Sequence, residues 1–394
     1  GHNHFFKNNY LFRQWTDATS ILDYLRFAKE YVAECEDRHG VERVETVLDS
    51  AHALMNQGVS RHPVRPPTRG PERLRDKERR RREYEEATYN ELWRTVPRSA
   101  LPKPSSNGQA KTMQKEALAL GLPQENLLYF LEKHAPKLEE WERELLRIVR
   151  MLAQYFYPQR LTKVMNEGCA TFVHYEILNR LYDKGLITEG SMIEFMQSHT
   201  SVVYQPRFEE RHFGGFNPYA LGFAIMRDIK RIAEEPTAED RDWFPDFAGN
   251  GDALGVLKEA WANFRDDSFI LQYLSPKVIR DFRLFQVHDS ANSAFVEVKA
   301  IHDETGYRRV RQALAQHYDI ATRDPHIEAV NADLAGGRRL TLVHRVRSGV
   351  LFDKDQSDRT LQHVARLWGY RVRLSEVDAE TGKALKDHEA LPLP

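Results

Sequence analysis

The chain has 394 residues, 41% of them apolar and 29% charged, with a formal net charge of −1. That length predicts two domains, or one large domain with an appendage, and the charge balance gives nucleic-acid binding no global support. Two cysteines, Cys35 and Cys169, exclude a disulfide framework and a thiolate zinc cluster and fit a reducing compartment, while no apolar run approaches a membrane span and no signal peptide is visible.

The first stretch, Gly1-His2-Asn3-His4-Phe5-Phe6-Lys7-Asn8-Asn9, supplies two histidines two residues apart. On a helix that spacing turns them about 200° from each other, so both could not face one ion; on an extended segment or a helix end they could. The letters HNH do not make a nuclease motif, whose residues are spread over a ββα unit. From Thr16 to about Asp37 the pattern predicts a helix, with Thr16, Asp17, Thr19 and Ser20 as candidate caps and Ile21, Tyr24, Leu25, Ala28, Tyr31 and Val32 as its apolar stripe. His39-Gly40 ends it. A second helix, Val41 to Gln57, buries Val44, Val47, Leu48, Ala51 and Leu54 and stops at Gly58. His52, near that face, reads as a hydrogen-bonded or half-exposed residue.

Residues 61–104 change character. Pro63, Pro66, Pro67 and Pro71 punctuate a loop, and residues 72–93 mix charges of both signs, which predicts a solvated, salt-bridged helix or an ordered insertion on the surface. Within it Arg79 to Arg82 could touch phosphate, but the flanking acids argue for a solvated face. Residues 97–109 read as a flexible linker. Helical periodicity returns over Asn126 to His134 and Pro136 to Tyr157, with Leu138, Trp141, Leu145, Ile148, Leu152 and Tyr155 facing inward and Pro158 breaking the second helix.

Lys163 to Leu181 predicts one buried helix with a polar face. Met165, Cys169, Phe172, Val173, Ile177, Leu178 and Leu181 recur at helical spacing, and Glu167, Thr171 and His174 share one side. A carboxylate and an imidazole there would be two metal ligands, or an acid and a base, or a pair that satisfies itself in the core. Gly168 inside the helix costs roughly 1 kcal/mol relative to Ala, so it signals a close approach by another helix or a ligand.

Gly185 to His199 reads as a short helix capped by Thr188 or Ser191, followed by an extended stretch to Pro206. Phe213-Gly214-Gly215-Phe216-Asn217-Pro218-Tyr219 is an aromatic, turn-rich loop. It either lines a substrate cleft, with Gly214, Gly215, Asn217 and Tyr219 as lining residues, or is a tight connection into a helix over Tyr219 to Ala233. Gly255 to Arg265 is a further helix. Near Ser275-Pro276 the grammar turns to strands: Phe282 to Val287, Phe295 to His302, and a hairpin of Ile327 to Leu334 and Arg339 to Arg345 around Gly336-Gly337. Helices over Tyr307 to Tyr318 and Asp358 to Trp368, and a last strand Tyr370 to Leu374, complete an α+β module. His288, His302, His326 and His344 read as structural or exposed.

GHNHFFKNNYLFRQWT at residues 1–16, MNEGCATFVHYEI at 165–177 and FGGFNPYALG at 213–222 resemble the SpoVR-like family, the stage V sporulation protein R family of bacteria, over nearly the whole chain. Family members usually carry Trp where Cys169 stands. They also extend upstream of the first string with a further histidine-bearing helix, where one ligand could lie; His2 then ranks before His4 as its partner. The resemblance implies a cytoplasmic protein linked to spore cortex formation, or elsewhere to stress physiology alongside a PrkA-like serine protein kinase. Separately, Asn166-Glu167-Gly168-Cys169-Ala170 resembles the NEG-x-A helix that brings the third zinc ligand in gluzincin metallopeptidases.

The expected architecture is α+β: a mainly helical, metallopeptidase-like body over residues 1–274, with a charged insertion and linker near 61–110, and an α+β module over 275–394. The expected site is a zinc centre on Glu167 and His174 with His2 or His4, in a hydrolase of peptide or peptidoglycan-related amide bonds. The chain has no HExxH, so the base would be Glu176 or an upstream residue, or is absent altogether. The alternative is a non-catalytic scaffold for the kinase pathway. Nucleic acid ranks last as a partner.

Overall fold

The computed structural model describes residues 1–15, 21–59, 120–208, 210–288, 297–300, 303–334, 336–347 and 349–392. The expected caps at 16–20, the charged segment at 72–93, the linker at 97–109 and His302 lie outside the described residues.

The chain starts in two short helices, α1 (His2–Asn8) and α2 (Tyr10–Trp15). Asn9 between them is fully buried. Its amide donates to the Trp261 and Phe264 carbonyls, both at 2.9 Å, and its oxygen accepts from Leu11 N at 3.0 Å. One side chain thus breaks the helix, caps the next and ties both to a distant segment. Then come α3 (Ile21–His39) and α4 (Val41–Ala53), with a 3-10 turn at Met55–Gln57.

Next follow α5 (Leu127–His134) and α6 (Glu140–Leu161). The expected break at Pro158 does not occur. Pro158 lies in the last turn of α6, where its missing N–H forfeits a single helical bond. The central helix is α7 (Lys163–Asp183), followed by α8 (Glu189–Val202), whose N-cap Thr188 accepts from Ser191 N at 3.2 Å. Helix α8 takes up the first half of the stretch from His199 to Pro206 that was expected to be extended. After the aromatic loop come α9 (Pro218–Glu234), α10 (Ala238–Trp243), α11 (Ala253–Asn263), α12 (Asp266–Tyr273) and α13 (Pro276–Asp281).

Strands β1 (Gln286–His288) and β2 (Glu297–Ala300) pair antiparallel, and α14 (Glu304–Tyr318) and α15 (Ile320–Arg323) follow. The last unit is β3 (Ile327–Ala332), β4 (Leu340–Val346), α16 (Lys354–Trp368), β5 (Val372–Asp378) and β6 (Ala384–Ala390). Its sheet has the order β3-β4-β5-β6, with the β4–β5 pair parallel across the α16 crossover and the other two pairs antiparallel. Strand β6 was not expected from the sequence. It is an edge strand of mostly polar letters that buries little beyond His388 and Ala390.

The fold is therefore mainly helical, with a small C-terminal sheet. Among the described residues two large hydrophobic clusters form. One joins α1, α2, α7, α9 and α11 to α14. The other joins α3 to α6 with the C-terminal sheet and α16. Helices α13 and α14, placed in the C-terminal module by sequence, pack in the first cluster, and the sheet packs on helices from the front of the chain. No described helix is long and apolar enough to cross a membrane.

Candidate functional site

Helix α7 is the spine of the site. Its N-terminus is fixed from below by Asp266, whose carboxylate accepts from Val164 N at 2.8 Å and Met165 N at 2.9 Å. A carboxylate at the positive end of a helix is favourable, yet Asp266 is almost completely buried. Burial dominates and pushes its carboxyl up to about 7.

Small residues bring two more helices against α7. A Cβ on Gly168 would lie 2.6 Å from the Gly222 backbone, and one on Gly222 would lie 2.2 Å from the Val164 carbonyl. A Cβ on Gly1 would lie 2.4 Å from Ala170 Cα. The small letters of NEG-x-A therefore serve helix packing: Gly168 receives α9 and Ala170 receives the start of α1. The three stretches that carry the family resemblance thus meet at one place.

At that place stand Glu167, His2, Asn166 and Tyr219. His2 Nδ1 lies 2.9 Å from Asn166 Oδ1. An amide oxygen only accepts, so Nδ1 carries the proton. His2 Nε2 then faces Glu167 Oε2 at 3.9 Å. In a neutral ring this sets a lone pair against a carboxylate, and a cation between them, a second ring proton or a metal ion, makes the pair attractive. The Glu167 side chain keeps 18% of its exposure and that of His2 49%, so the centre is open to water. Tyr219 faces the same carboxylate. Burial, then the hydrogen bond to Glu167 and its charge, hold this phenol above its ordinary value, so it stays a proton donor at neutral pH.

The other expected site residues are not brought here. His174 shares a face with Glu167, but seven residues at 1.5 Å each set it about 10 Å along the axis. It is exposed and meets Phe195 edge-on. The second half of α7 is not buried as expected: Ile177 is 51% exposed. His4 points toward Trp261, at 5.6 Å between ring centroids, because α1 is helical and turns it away from His2. Glu176, nine residues or two and a half turns from Glu167, faces the other way and pairs with Lys230 Nζ at 2.8 Å.

In the aromatic loop Gly215 takes φ +104°, a conformation that favours glycine. Asn217 caps α9 through Tyr219 N and donates to the Val202 and Tyr204 carbonyls, so its role is to hold the loop. Among the described residues nothing stands within 4 Å of the positions where side chains on Gly214 or Gly215 would begin. Of the four residues expected to line a cleft, Tyr219 reaches Glu167.

Cys169 is fully buried beneath the site, and burial pushes its thiol up to about 12, so it is neither nucleophile nor ligand. In the sheet, His344 and His388 flank the buried Glu376 at 3.2 and 2.9 Å, a satisfied core network. Asn166 was not singled out as a site residue by sequence; its signal was an amide on the buried face next to Glu167. Asp266 carries no local signal, since it reaches α7 from 100 residues away.

Metal binding can be tested on this donor set. Glu167 and His2 have the right chemistry and proximity, and Asn166 orients the imidazole as a ligand histidine requires. Among the described residues, however, no group of three or more His, Cys, Asp and Glu is placed to hold an ion. The pair supplies two of the three protein donors that a catalytic zinc takes.

Residues 1–323 match the family described as SpoVR like protein, and residues 325–379 match the SpoVR-like C-terminal domain. The uncharacterized protein YcgB of Escherichia coli (strain K12) is 51% identical over 376 residues, covering 95% of this chain and 72% of that protein. No solved structure matches the chain.

Proposed function

The chain belongs to the SpoVR-like family, and from that premise we propose that it is a metal-dependent hydrolase of amide bonds in peptide or peptidoglycan-related substrates. The observation that carries this reading is the Glu167–His2 pair. It is water-accessible, held in one tautomer by Asn166, and assembled from the three stretches that carry the family resemblance. A buried structural pair would be closed to solvent and would not need an oriented lone pair.

Zinc fits the donor chemistry, with Glu167 and His2 as two ligands. A histidine on the further helix that the resemblance implies for family members would be the third. When bound, the ion would supply Lewis-acid polarisation and a water of lowered pKa. The chain's own residues do the rest. Asn166 keeps the imidazole in its working tautomer, and Tyr219 donates its one hydroxyl proton to the Glu167 carboxylate and so orients it.

The test is release of new amino groups from peptides and peptidoglycan fragments, by wild type and by Glu167→Gln. We expect hydrolysis that falls at least about 100-fold in the variant. Equal activity in both, or none on any amide, would favour the non-catalytic role beside a PrkA-like kinase.

A further inference from the structure

His174 is left out of the Glu167 centre, yet it belongs to a second cluster. Its ring meets Phe195 of α8 at 5.0 Å between centroids, and the same Phe195 lies 5.4 Å from His199. His199 is buried and packs edge-on against Phe223 of α9 at 4.7 Å. One turn beyond Phe223, Arg227 is exposed and holds its guanidinium 5.6 Å from that ring and 5.3 Å from the ring of Tyr175. Three nitrogen-bearing side chains from three helices thus share one aromatic seat.

The fixed positive charge of the cluster is Arg227, and among the described residues no carboxylate pairs with it. His199 feels both partners: after burial, the fields of His174 and Arg227 hold it below its ordinary value. The next carboxylate along α7, Glu176, is already engaged by Lys230 at 2.8 Å and Arg180 at 3.7 Å. Among the described residues Arg227 makes no ion pair, and His174 and His199 make no side-chain hydrogen bond. Stacking on Tyr175 and Phe223 holds the guanidinium in place while the side chain stays exposed.

Its position ties it to the centre. Gly168 lies against Gly222 and Glu176 against Lys230, so α7 and α9 run in the same direction. Glu167 and Tyr219 stand at one end of this helix pair, His174 and Arg227 about two turns further on. Over seven residues that is roughly 10 Å, the span of about three residues of extended peptide.

We infer that His174, His199 and Arg227 bind an oxyanion, carboxylate or phosphate, carried by the substrate about 10 Å from the bond that the Glu167–His2 centre attacks. The word substrate rests on the hydrolase reading; the anion site rests on this geometry alone.

The experiment is an NMR titration of the histidine ring protons in the chelator-treated full chain. One arm uses inorganic phosphate and the other a short peptide with a free C-terminal carboxylate. We expect saturable shifts of His174 and His199 in at least one arm, and the arm that binds more tightly names the oxyanion. Arg227→Gln should weaken binding roughly tenfold, and Glu167→Gln should leave it unchanged. No saturable shift in either arm overturns the inference, as does full affinity in Arg227→Gln. Because the metal has been removed, this result does not depend on whether the Glu167 centre hydrolyses anything.

Discussion

Asn166 decides what His2 can do. By accepting from Nδ1–H it leaves Nε2 as the free nitrogen facing Glu167, so its removal should be felt at the ion and not in the fold. We expect Asn166→Ala to lower zinc affinity by about 10–100-fold, measured by competition with a chromophoric chelator, and an unchanged affinity would remove Asn166 from the site. Asp266 makes a different kind of prediction. Its carboxyl sits at about 7 in the folded chain, against about 3.9 when unfolded, so the folded state keeps a proton that the unfolded chain sheds. The associated stabilisation is complete below about pH 4 and is lost as pH rises through 7. Relative to Asp266→Asn, which cannot titrate, wild type should lose thermal stability from about pH 4 to 7 and level off above; a constant difference would contradict the assignment. At this scale Glu167 and His2 were legible as letters. His174 was misplaced because helical spacing reports the angle of a side chain and not the distance along the axis.

Glycine carries the packing of α7 on α9. Replacing Gly168 by Ala would gain roughly 1 kcal/mol of helix propensity if nothing stood nearby. The Gly222 backbone at 2.6 Å turns that sign, since two backbones must move apart to admit a methyl. We expect Gly168→Ala and Gly222→Ala each to destabilise by about 1–3 kcal/mol in chemical unfolding. Gly190→Ala on α8, where the nearest atom is 3.9 Å away, should be neutral or stabilising. If all three behave alike, the close crossing is not what those glycines are for. The long amphipathic helices and the β3–β4 hairpin were readable because period and turn residues agree. Helices α1, α2, α10, α12, α13 and α15 were missed because helices of one or two turns show little period, strand β6 because its letters are mostly polar, and Pro158 ended a helix on paper that runs on for three more residues.

Across the whole molecule, the C-terminal sheet is not an independent appendage. Phe130 of α5 stacks on Trp368 of α16 at 5.9 Å, Ser50 of α4 meets His363 at 3.1 Å, and Gln124 pairs with Ala329 of β3 through two backbone hydrogen bonds. One cluster therefore contains Val44, Leu128 and Leu145 together with Leu342, Leu361 and Val372. A chain ending at Arg323 should lose helical signal from α3 to α6 and aggregate. If it unfolds cooperatively with undiminished helicity, the shared core is wrong. Sequence could not show this sharing, since periodicity tells which face of an element is buried but not what buries it. The sequence boundary at 275 follows the change to strand-forming letters, whereas α13 and α14 pack in the first cluster.

Metal content tests the central claim most directly. Zinc bound by the full chain would be measured by elemental analysis in wild type, Glu167→Gln, His2→Ala and His174→Ala after dialysis at equal zinc activity. We expect zinc in wild type, its loss in Glu167→Gln and His2→Ala, and its retention in His174→Ala. Zinc that survives in Glu167→Gln, or that depends on His174 and not on His2, would contradict the centre described.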